Sequence, residues 1–396
     1  MYSRIEPEEF EKRWKMKHKY PYELYMDRIW KRQLIGFWFR DLIRLPKLLR
    51  NSVKCANLPT YYPEMERKGY VSRLFDNIWW TIKHRSINSY YTSYGLDIKN
   101  FHNPDDYMSF REFKLQREGA HYLYPDKYKF DSKILLRDKY IFSCYLSAAI
   151  GEEYLPRTIG QIRNNMVEVQ ETRETLTIEK FFSQERHLIC KKIDGECADT
   201  VLLLTSHNGK LMNGNTPITI QEIKEMIHGG RMLLQEVITQ HEDVNRINPY
   251  CINTVRIITL RSDSGNIHVF AASIRLGTVK DSFVDNRAVG GAAVGIDECG
   301  RLKKYGFQHA QYGTKISQHP VTGVVFEGYQ LPCWNEVVDL VTKAHKAIIN
   351  VQSIGWDVAL TPNGPVLIEG NDNWEIANPQ DAHGGLKKRW YDLLKK

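Results

Sequence analysis

Two carboxylates and a carboxamide near the C-terminus of this 396-residue chain stand at spacings that could grip a hard cation. They lie within Gly355 to Trp374, GWDVALTPNGPVLIEGNDNW. Pro362-Asn363-Gly364 suits a three-residue hairpin loop, because Pro favours the first position of a type I turn and Gly the left-handed position after it. Closing that loop between Thr361 and Pro365 sets Asp357 across from Glu369, and the two-residue period of a strand sends Asn371 to the face of Glu369. Asp357, Glu369 and Asn371 then converge as oxygen ligands of the kind that hold Mg2+ against a nucleotide phosphate. An ordinary hairpin with polar residues facing solvent has the same spacing, and Val358, Leu360, Val366 and Ile368 fit a half-buried hairpin under either reading.

The elements that must position this hairpin are legible upstream. A helix is expected from about Asp138 to Ala149, stopped by Gly151. HLICKKI (187–193) and TVLLLT (200–205) read as strands joined by the turn-forming DGECAD. Within the first of these, Lys191 shares a face with Ile189 and Ile193 while Lys192 shares one with Cys190, so only one lysine points to a given side. TIQEIKEMIHGG begins at a Thr219 cap and ends at a glycine pair, as a short helix does. RMLLQEVI, TVRIITLRS, IHVFAASIRLG and GWDVALT read as strands, and EVVDLVTKAHKAIINVQ as an amphipathic helix. Strands and helices mixed without strict alternation predict an α+β architecture, not a doubly wound sheet. Residues 51–130 read as a few helices and loops.

Composition narrows the classes further. Hydrophobic residues make up 42% and charged residues 26%, which fits a folded chain and excludes bulk disorder. No run approaches the ~18 apolar residues that span a bilayer, and MYSRIEPEEFEKRWKMKHK has no apolar signal core, so a cytoplasmic location is expected. The seven cysteines contain no C-x-x-C pair, which indicates neither a disulfide framework nor a zinc knuckle. The histidines show no H-E-x-x-H spacing, and the absence of G-x-x-x-x-G-K-[ST] excludes a P-loop kinase.

The charge of +8 is uneven: residues 1–50 hold thirteen Lys and Arg against seven Asp and Glu, a surplus of six. Between Tyr22 and Arg50, Trp30, Leu34, Phe37, Trp38, Leu42 and Leu45 recur at helical spacings with basic residues among them. Such a helix can pack its aromatics on the following domain or lie in a membrane surface. No nucleic-acid motif accompanies it, so nucleic acid is not an expected partner.

The run D-V-A-L-T-P-N-G-P-V-L-I-E-G-N resembles the metal-binding hairpin of the ATP-grasp superfamily, most closely its sugar-transfer-associated branch, related to the α-L-glutamate ligases. Asp138-Lys139 before a helix and EEYLP is similar to that family's opening, whose lysine contacts ATP phosphate. KKIDGECADTV resembles its K-P-x-x-G-x-G-G segment, with Lys191 at the lysine; Lys192 replaces the Pro, and Cys197, Ala198, Asp199 and Thr200 replace the glycines of the phosphate-covering loop. LLQEVI resembles the strand that receives adenine, here Gln235 and Glu236. INTVRI, RLG and FVDNRAVGGAAVGID look like the stretches before the metal hairpin, supplying Arg256, Arg275 and Asn286. Asp243, seven residues beyond Glu236, stands where an acid could take the ribose hydroxyls.

In order and spacing the resemblance covers about residues 131–380. It implies an ATP-grasp fold, two α+β subdomains clamping ATP, behind an N-terminal basic, aromatic helical region. The expected divisions are 1–70 for that region, 71–130 before the ATP-grasp part, 131–206 for the small subdomain and 207–396 for the C-terminal subdomain. The implied chemistry is a ligase reaction: Mg2+ and ATP convert a carboxylate to an acyl phosphate, which an amine attacks. Arg275 and Asn286 are the candidates to steady that acyl phosphate, and Arg256 to hold a carboxylate by a bidentate pair. The branch's place beside polysaccharide and capsule assembly suggests a hexuronic acid joined to an amino acid or amine, with peripheral contact at the inner membrane face through residues 22–50. A glutamate-type amino-acid or peptide ligase and a non-catalytic nucleotide-binding module are the competing readings.

Overall fold

Alternating and fully apolar strand segments from Thr158 onward build two antiparallel sheets in the computed structural model of the chain. It describes residues 46–396 apart from 48, 85, 111, 114–115, 118–131, 195–200, 228–229, 280–289 and 310–312. The chain divides into two compact units, 1–130 and 131–396.

In the first unit, helical residues 49–56 (α1) lie against α2 (Tyr70–His84). Ser52 Oγ meets Thr81 Oγ1 at 3.0 Å, and Arg73 Nε donates to the Ala56 carbonyl at 3.0 Å. Trp80, Tyr91, Tyr94, Leu96 and Tyr107 form the small core beneath α2. The outer side of α2 carries the exposed apolar residues Val71, Phe75, Trp79 and Ile82.

The second unit starts with α3 (Ile134–Arg137) and α4 (Lys139–Ile150). Asp138 caps α4, its Oδ1 accepting from the Tyr140 and Ile141 amides at 3.0 and 2.9 Å. The first sheet follows: β1 (Thr158–Arg163), β2 (Met166–Val169), β3 (Thr175–Thr177), β4 (Arg186–Lys192), β5 (Val201–His207), β6 (Lys210–Asn213), β7 (Thr216–Pro217) and β8 (Met232–Glu236). Their order is β3-β2-β1-β8-β4-β5-β6-β7. α5 (Ile178–Phe182) and α6 (Ile220–Ile227) cover one face, burying Phe181, Ile223 and Ile227 against Leu188, Cys190, Leu204 and Leu234. α6 opens on a capping box, Glu222 N to Thr219 Oγ1 at 3.2 Å and Thr219 N to Glu222 Oε2 at 2.7 Å.

A division at 206/207, expected from the sequence, falls inside this sheet. β8 is inserted between β1 and β4, so the sheet runs on to Glu236 and the second sheet begins only at Val255.

After α7 (Glu242–Ile247) the second sheet comprises β9 (Val255–Arg261), β10 (Ile267–Leu276), β11 (Ala292–Ile296), β12 (Leu302–Gln308), β13 (Lys315–Ile316), β14 (Ser353–Thr361) and β15 (Gly364–Asn371). Its order is β13-β12-β11-β10-β9-β14-β15. α8 (Trp334–Ala347) and α4 pack on one face, burying Val337, Val341, Phe142 and Leu146 against Val255, Ile257, Ile354, Trp356 and Val358. α9 (Ala377–His383) and α10 (Lys387–Leu394) end the chain, and Trp390 packs with Phe270 and Trp374.

The turn of the C-terminal hairpin differs from expectation by one residue. Thr361 pairs with Gly364, and the one-residue offset persists to Val358↔Leu367. Gly364 takes φ +108°, and Thr361 Oγ1 accepts from the Asn363 amide at 3.1 Å. A bulge between Val358 and Asp357 then absorbs Ile368, which restores the expected Asp357↔Glu369 pair.

Candidate active site

Strand register alone draws up a row of charged and polar side chains. Arg256 on β9 pairs with Ser273 on β10 and with Asp357 on β14, and Asp357 pairs with Glu369 on β15. Directly paired residues share a face of a sheet, so Arg256, Asp357 and Glu369 project to the same side. That side is opposite the one on which Trp356 and Val358 enter the core with α8. Asn371, paired with Gly355, lies at the end of the row.

The charges in the row are tightly engaged. Arg256 Nε and Nη2 donate to Asp357 Oδ1 and Oδ2 at 2.5 and 2.9 Å, and Arg275 Nη2 lies 3.1 Å from Oδ2. Burial pushes the Asp357 carboxyl up, but the attraction of Arg256 and Arg275 and their hydrogen bonds outweigh it and hold the pKa below the ordinary value. Arg275 is itself steadied by Thr254, whose Oγ1 accepts from Nε at 2.9 Å and Nη2 at 2.7 Å.

Two lysines reach the same place from outside the sheet. Lys139, the first residue of α4, stands 3.8 Å from Glu369 Oε2. Leu136 packs directly over Gly370, where a Cβ would lie 2.7 Å from its Cδ2; the bare glycine lets the helical segment approach the strand. Lys191, on β4, is buried, and burial pushes its pKa down to about 8, with Lys139 adding to the push and Glu369 and Asp357 opposing it. Lys191, Ile189 and Gln235 share the face of the first sheet turned away from α5 and α6, since Ile189 pairs with Gln235.

The remaining sequence candidates take other partners. Gln235 Nε2 donates to the Pro156 carbonyl at 3.3 Å, and Glu236 Oε1 accepts from the Arg157 amide at 3.0 Å, so the pair holds the start of β1 to the end of β8. Asp243 bonds Arg246 at 3.1 Å on α7 and does not join the charged row. Asn286 and the loop replacements Cys197, Ala198, Asp199 and Thr200 lie outside the described residues, as do residues 22–45 of the basic segment.

The donor set suits a divalent cation at two of its three positions. Among the described residues Glu369 is ion-paired with Lys139 alone, at 3.8 Å, and Asn371 uses its NH2 on the Gly355 carbonyl at 3.4 Å, which leaves oxygens of both for a hard cation. Asp357 has turned both of its oxygens to guanidinium groups and stands as the counter-ion of two arginines. Among the described residues no group of three or more His, Cys, Asp and Glu side chains is arranged to hold a metal.

Several contributors carry no sequence signal. Thr254 is one; Arg231, which bonds Asp138 Oδ2 at 2.9 Å, is another. Arg137 grips Asp372 at 3.0 and 2.7 Å and ties α3 to the segment after β15. A buried carboxamide network, Gln240 Oε1 accepting from the Asn253 amide at 2.6 Å and Asn248 Nδ2 donating to the Gly277 carbonyl at 3.1 Å, fixes the backbone on either side of Thr254 and Arg275.

Two antiparallel sheets, with Lys191 from the first, Lys139 from α4 and an arginine-acid row on the second, are the architecture expected of an ATP-grasp protein. The sugar-transfer associated ATP-grasp family model matches residues 120–392, and the chain belongs to that family. Among solved structures it is similar to an L-amino acid ligase from Bacillus licheniformis, 16% identical over 69% of this chain and 49% of that one, with a TM-score of 0.36. A D-alanine–D-alanine ligase from Bacillus anthracis is 13% identical over 66% of this chain and 67% of that one, with a TM-score of 0.36. A biotin carboxylase from Campylobacter jejuni is 12% identical over 67% and 47%, with a TM-score of 0.36. The chain thus spans about half the length of the amino acid ligase it matches. No curated protein matches it.

Proposed function

We propose that this chain is an ATP-dependent carboxylate–amine ligase that joins an amino acid or amine to a sugar carboxylate, such as a hexuronic acid, in polysaccharide or capsule assembly. The observation that carries the ligase reading is the charge cluster: among the described residues, Lys139, Lys191, Arg256 and Arg275 gather about two carboxylates, Asp357 and Glu369. Four cations against two anions leave an excess positive charge that suits phosphate and carboxylate groups together. The sugar carboxylate is suggested by the family's description.

In this reading Lys139 and Lys191 bind the phosphate oxygens of ATP. Asp138 already occupies the first amides of α4, so the lysine side chains, not the helix end, supply that contact. Glu369 and Asn371 would hold Mg2+, which when bound supplies neutralisation of phosphate charge. Gln235 and Glu236 at the end of β8 border the adenine, and Asp243 is the candidate for the ribose. The substrate carboxylate oxygen attacks the γ-phosphorus, ADP departs, and the amine nitrogen then attacks the acyl carbon, expelling phosphate and losing a proton. Arg275, with Asn286, steadies the charge that develops on the acyl phosphate and on the tetrahedral adduct; Arg256 orients the carboxylate. Asp357 holds the two arginines in place.

The test is release of ADP and phosphate from Mg-ATP against a panel of hexuronic acids and amino acids, beside Asp357→Asn and Glu369→Gln. Release that needs both a sugar acid and an amine, and is lost in both variants, is the expected result. Stimulation by amino acids alone would replace the sugar carboxylate by a glutamate-type substrate. Tight ATP binding with no turnover across the panel would overturn the ligase reading in favour of a binding module.

A further inference from the structure

Helix α2, YVSRLFDNIWWTIKH, is amphipathic in an unusual sense: both of its sides carry large apolar groups. Asn77, Trp80 and Thr81 are buried on the inner side. Val71, Phe75, Trp79 and Ile82 are 64%, 67%, 66% and 61% exposed. Their spacings of four, four and three residues set them along one stripe nearly three turns long. Scattered exposed apolar residues are ordinary, but an aligned stripe with a Trp and a Phe at its centre marks a surface that meets something.

The charges that α1 brings beside the stripe are of one sign. On and just before α1, which touches α2 through Ser52 and Thr81, Lys47, Arg50 and Lys54 are exposed, and Leu49 and Val53 are each 39% exposed among them. No acidic residue lies between Leu49 and Asn57, and the only acid on α2, Asp76, is already bonded to Lys68 Nζ and Tyr91 Oη at 2.8 and 2.7 Å. A second copy of the chain packing stripe to stripe would bring these cations together, and Asp105, the exposed acid beside the end of α2, is already paired with Lys83. An anionic lipid surface offers both complements, acyl chains for Phe75 and Trp79 and headgroup charge for the lysines and arginine.

We infer that the outer side of α2, flanked by the cations of α1, is a docking surface for an anionic lipid bilayer. The inference is independent of the ligase reading. Among the described residues no helix is long and apolar enough to cross a membrane, so the contact is peripheral.

The full-length protein is incubated with vesicles of phosphatidylcholine alone or mixed with phosphatidylglycerol, and the bound fraction is measured by sedimentation at low and raised salt. Wild type is expected to bind the anionic vesicles, with weaker binding as salt rises. A Phe75→Ser, Trp79→Ser variant and a Lys47→Glu, Arg50→Glu, Lys54→Glu variant should each bind at least 10-fold more weakly, with unchanged circular dichroism. Trp79→Phe keeps binding, but quenching of tryptophan fluorescence by bromine-labelled acyl chains drops relative to wild type. Wild-type-like binding by both multiple variants would overturn the inference. So would unchanged quenching in Trp79→Phe, or a wild-type dimer that the serine variant dissociates while neither protein binds vesicles.

Discussion

Arg256 holds Asp357 by both ends of its guanidinium fork across neighbouring strands, 101 residues apart in sequence. Arg275, reaching over from β10 beyond β9, adds a third nitrogen at 3.1 Å. Removing the carboxylate charge in Asp357→Asn takes from Arg256 the acid its fork grips and from Arg275 one of its charged partners. Such breakage is expected to destabilise the fold by about 3 kcal/mol, measured by urea unfolding at neutral pH. Because the folded carboxyl is held below its ordinary pKa, this contribution is present above the ordinary carboxylate range and fades as pH falls through the folded value. Arg256→Lys, which keeps charge but loses the fork, should recover only part of it.

Lys191 is expected to oppose stability while serving the site. Its ammonium is buried with a pKa pushed down to about 8, so at neutral pH the charged form is held at a cost of about 3 kcal/mol relative to an unfolded lysine. The unfolded chain binds the proton more tightly, so stability should rise as pH climbs from about 8 toward the ordinary lysine value. Lys191→Met should raise the melting temperature of the nucleotide-free protein at pH 7 and abolish ATP binding, both read by differential scanning fluorimetry with and without nucleotide. A lower melting temperature would contradict the first half.

Thr254 presents Arg275 through its hydroxyl oxygen. Thr254→Val keeps the shape and removes the acceptor of two guanidinium bonds. Turnover should fall on the order of 10²-fold, as for a misplaced reacting group, with the KM for ATP little changed, and Thr254→Ser should restore it. Equal losses in the Val and Ser variants would assign the effect to packing.

His345 predicts sensitivity to mild acid. Its Nε2 faces the Val351 carbonyl at 2.9 Å and so carries the proton, while Nδ1 accepts from Thr259 Oγ1 at 2.7 Å, whose oxygen in turn accepts from Trp356 Nε1 at 2.8 Å. Burial, with help from Arg261, pushes the pKa down to about 3 against the pull of the Val351 bond. The unfolded histidine takes up a proton near pH 6.5, so about 2 kcal/mol of stability should be lost between pH 7 and pH 5. Urea unfolding at the two pH values checks it, and His345→Gln should flatten the slope.

Much of the second unit was legible because its signals are local. Asp138 before an apolar run and Thr219 at the head of TIQEIKEMI are each decided by a few neighbours, and each caps its helix as expected. The Asp357↔Glu369 pair was reached although the turn is one residue tighter than expected, because the bulge at Ile368 supplies the missing residue. What lay beyond the sequence depends on strand order. That Arg256 would meet Asp357 requires knowing that β9 lies beside β14, and that the first sheet runs to Glu236 requires knowing that β8 enters its middle. Neither adjacency leaves a trace in spacing.

The bulge at Ile368 also separates two jobs within one hairpin. Toward the tip, Pro362 and Asn363 set how the strands reverse; beyond the bulge, Asp357 and Glu369 are aligned by β9, whose residues Val255 to Leu260 pair with β14. The tip therefore behaves as a splice point. A tag or reporter loop inserted between Pro362 and Asn363 should leave the acid pair in place, whereas one extra residue between Gly355 and Asp357 would turn Asp357 away from Arg256 and Glu369, which their own strands hold.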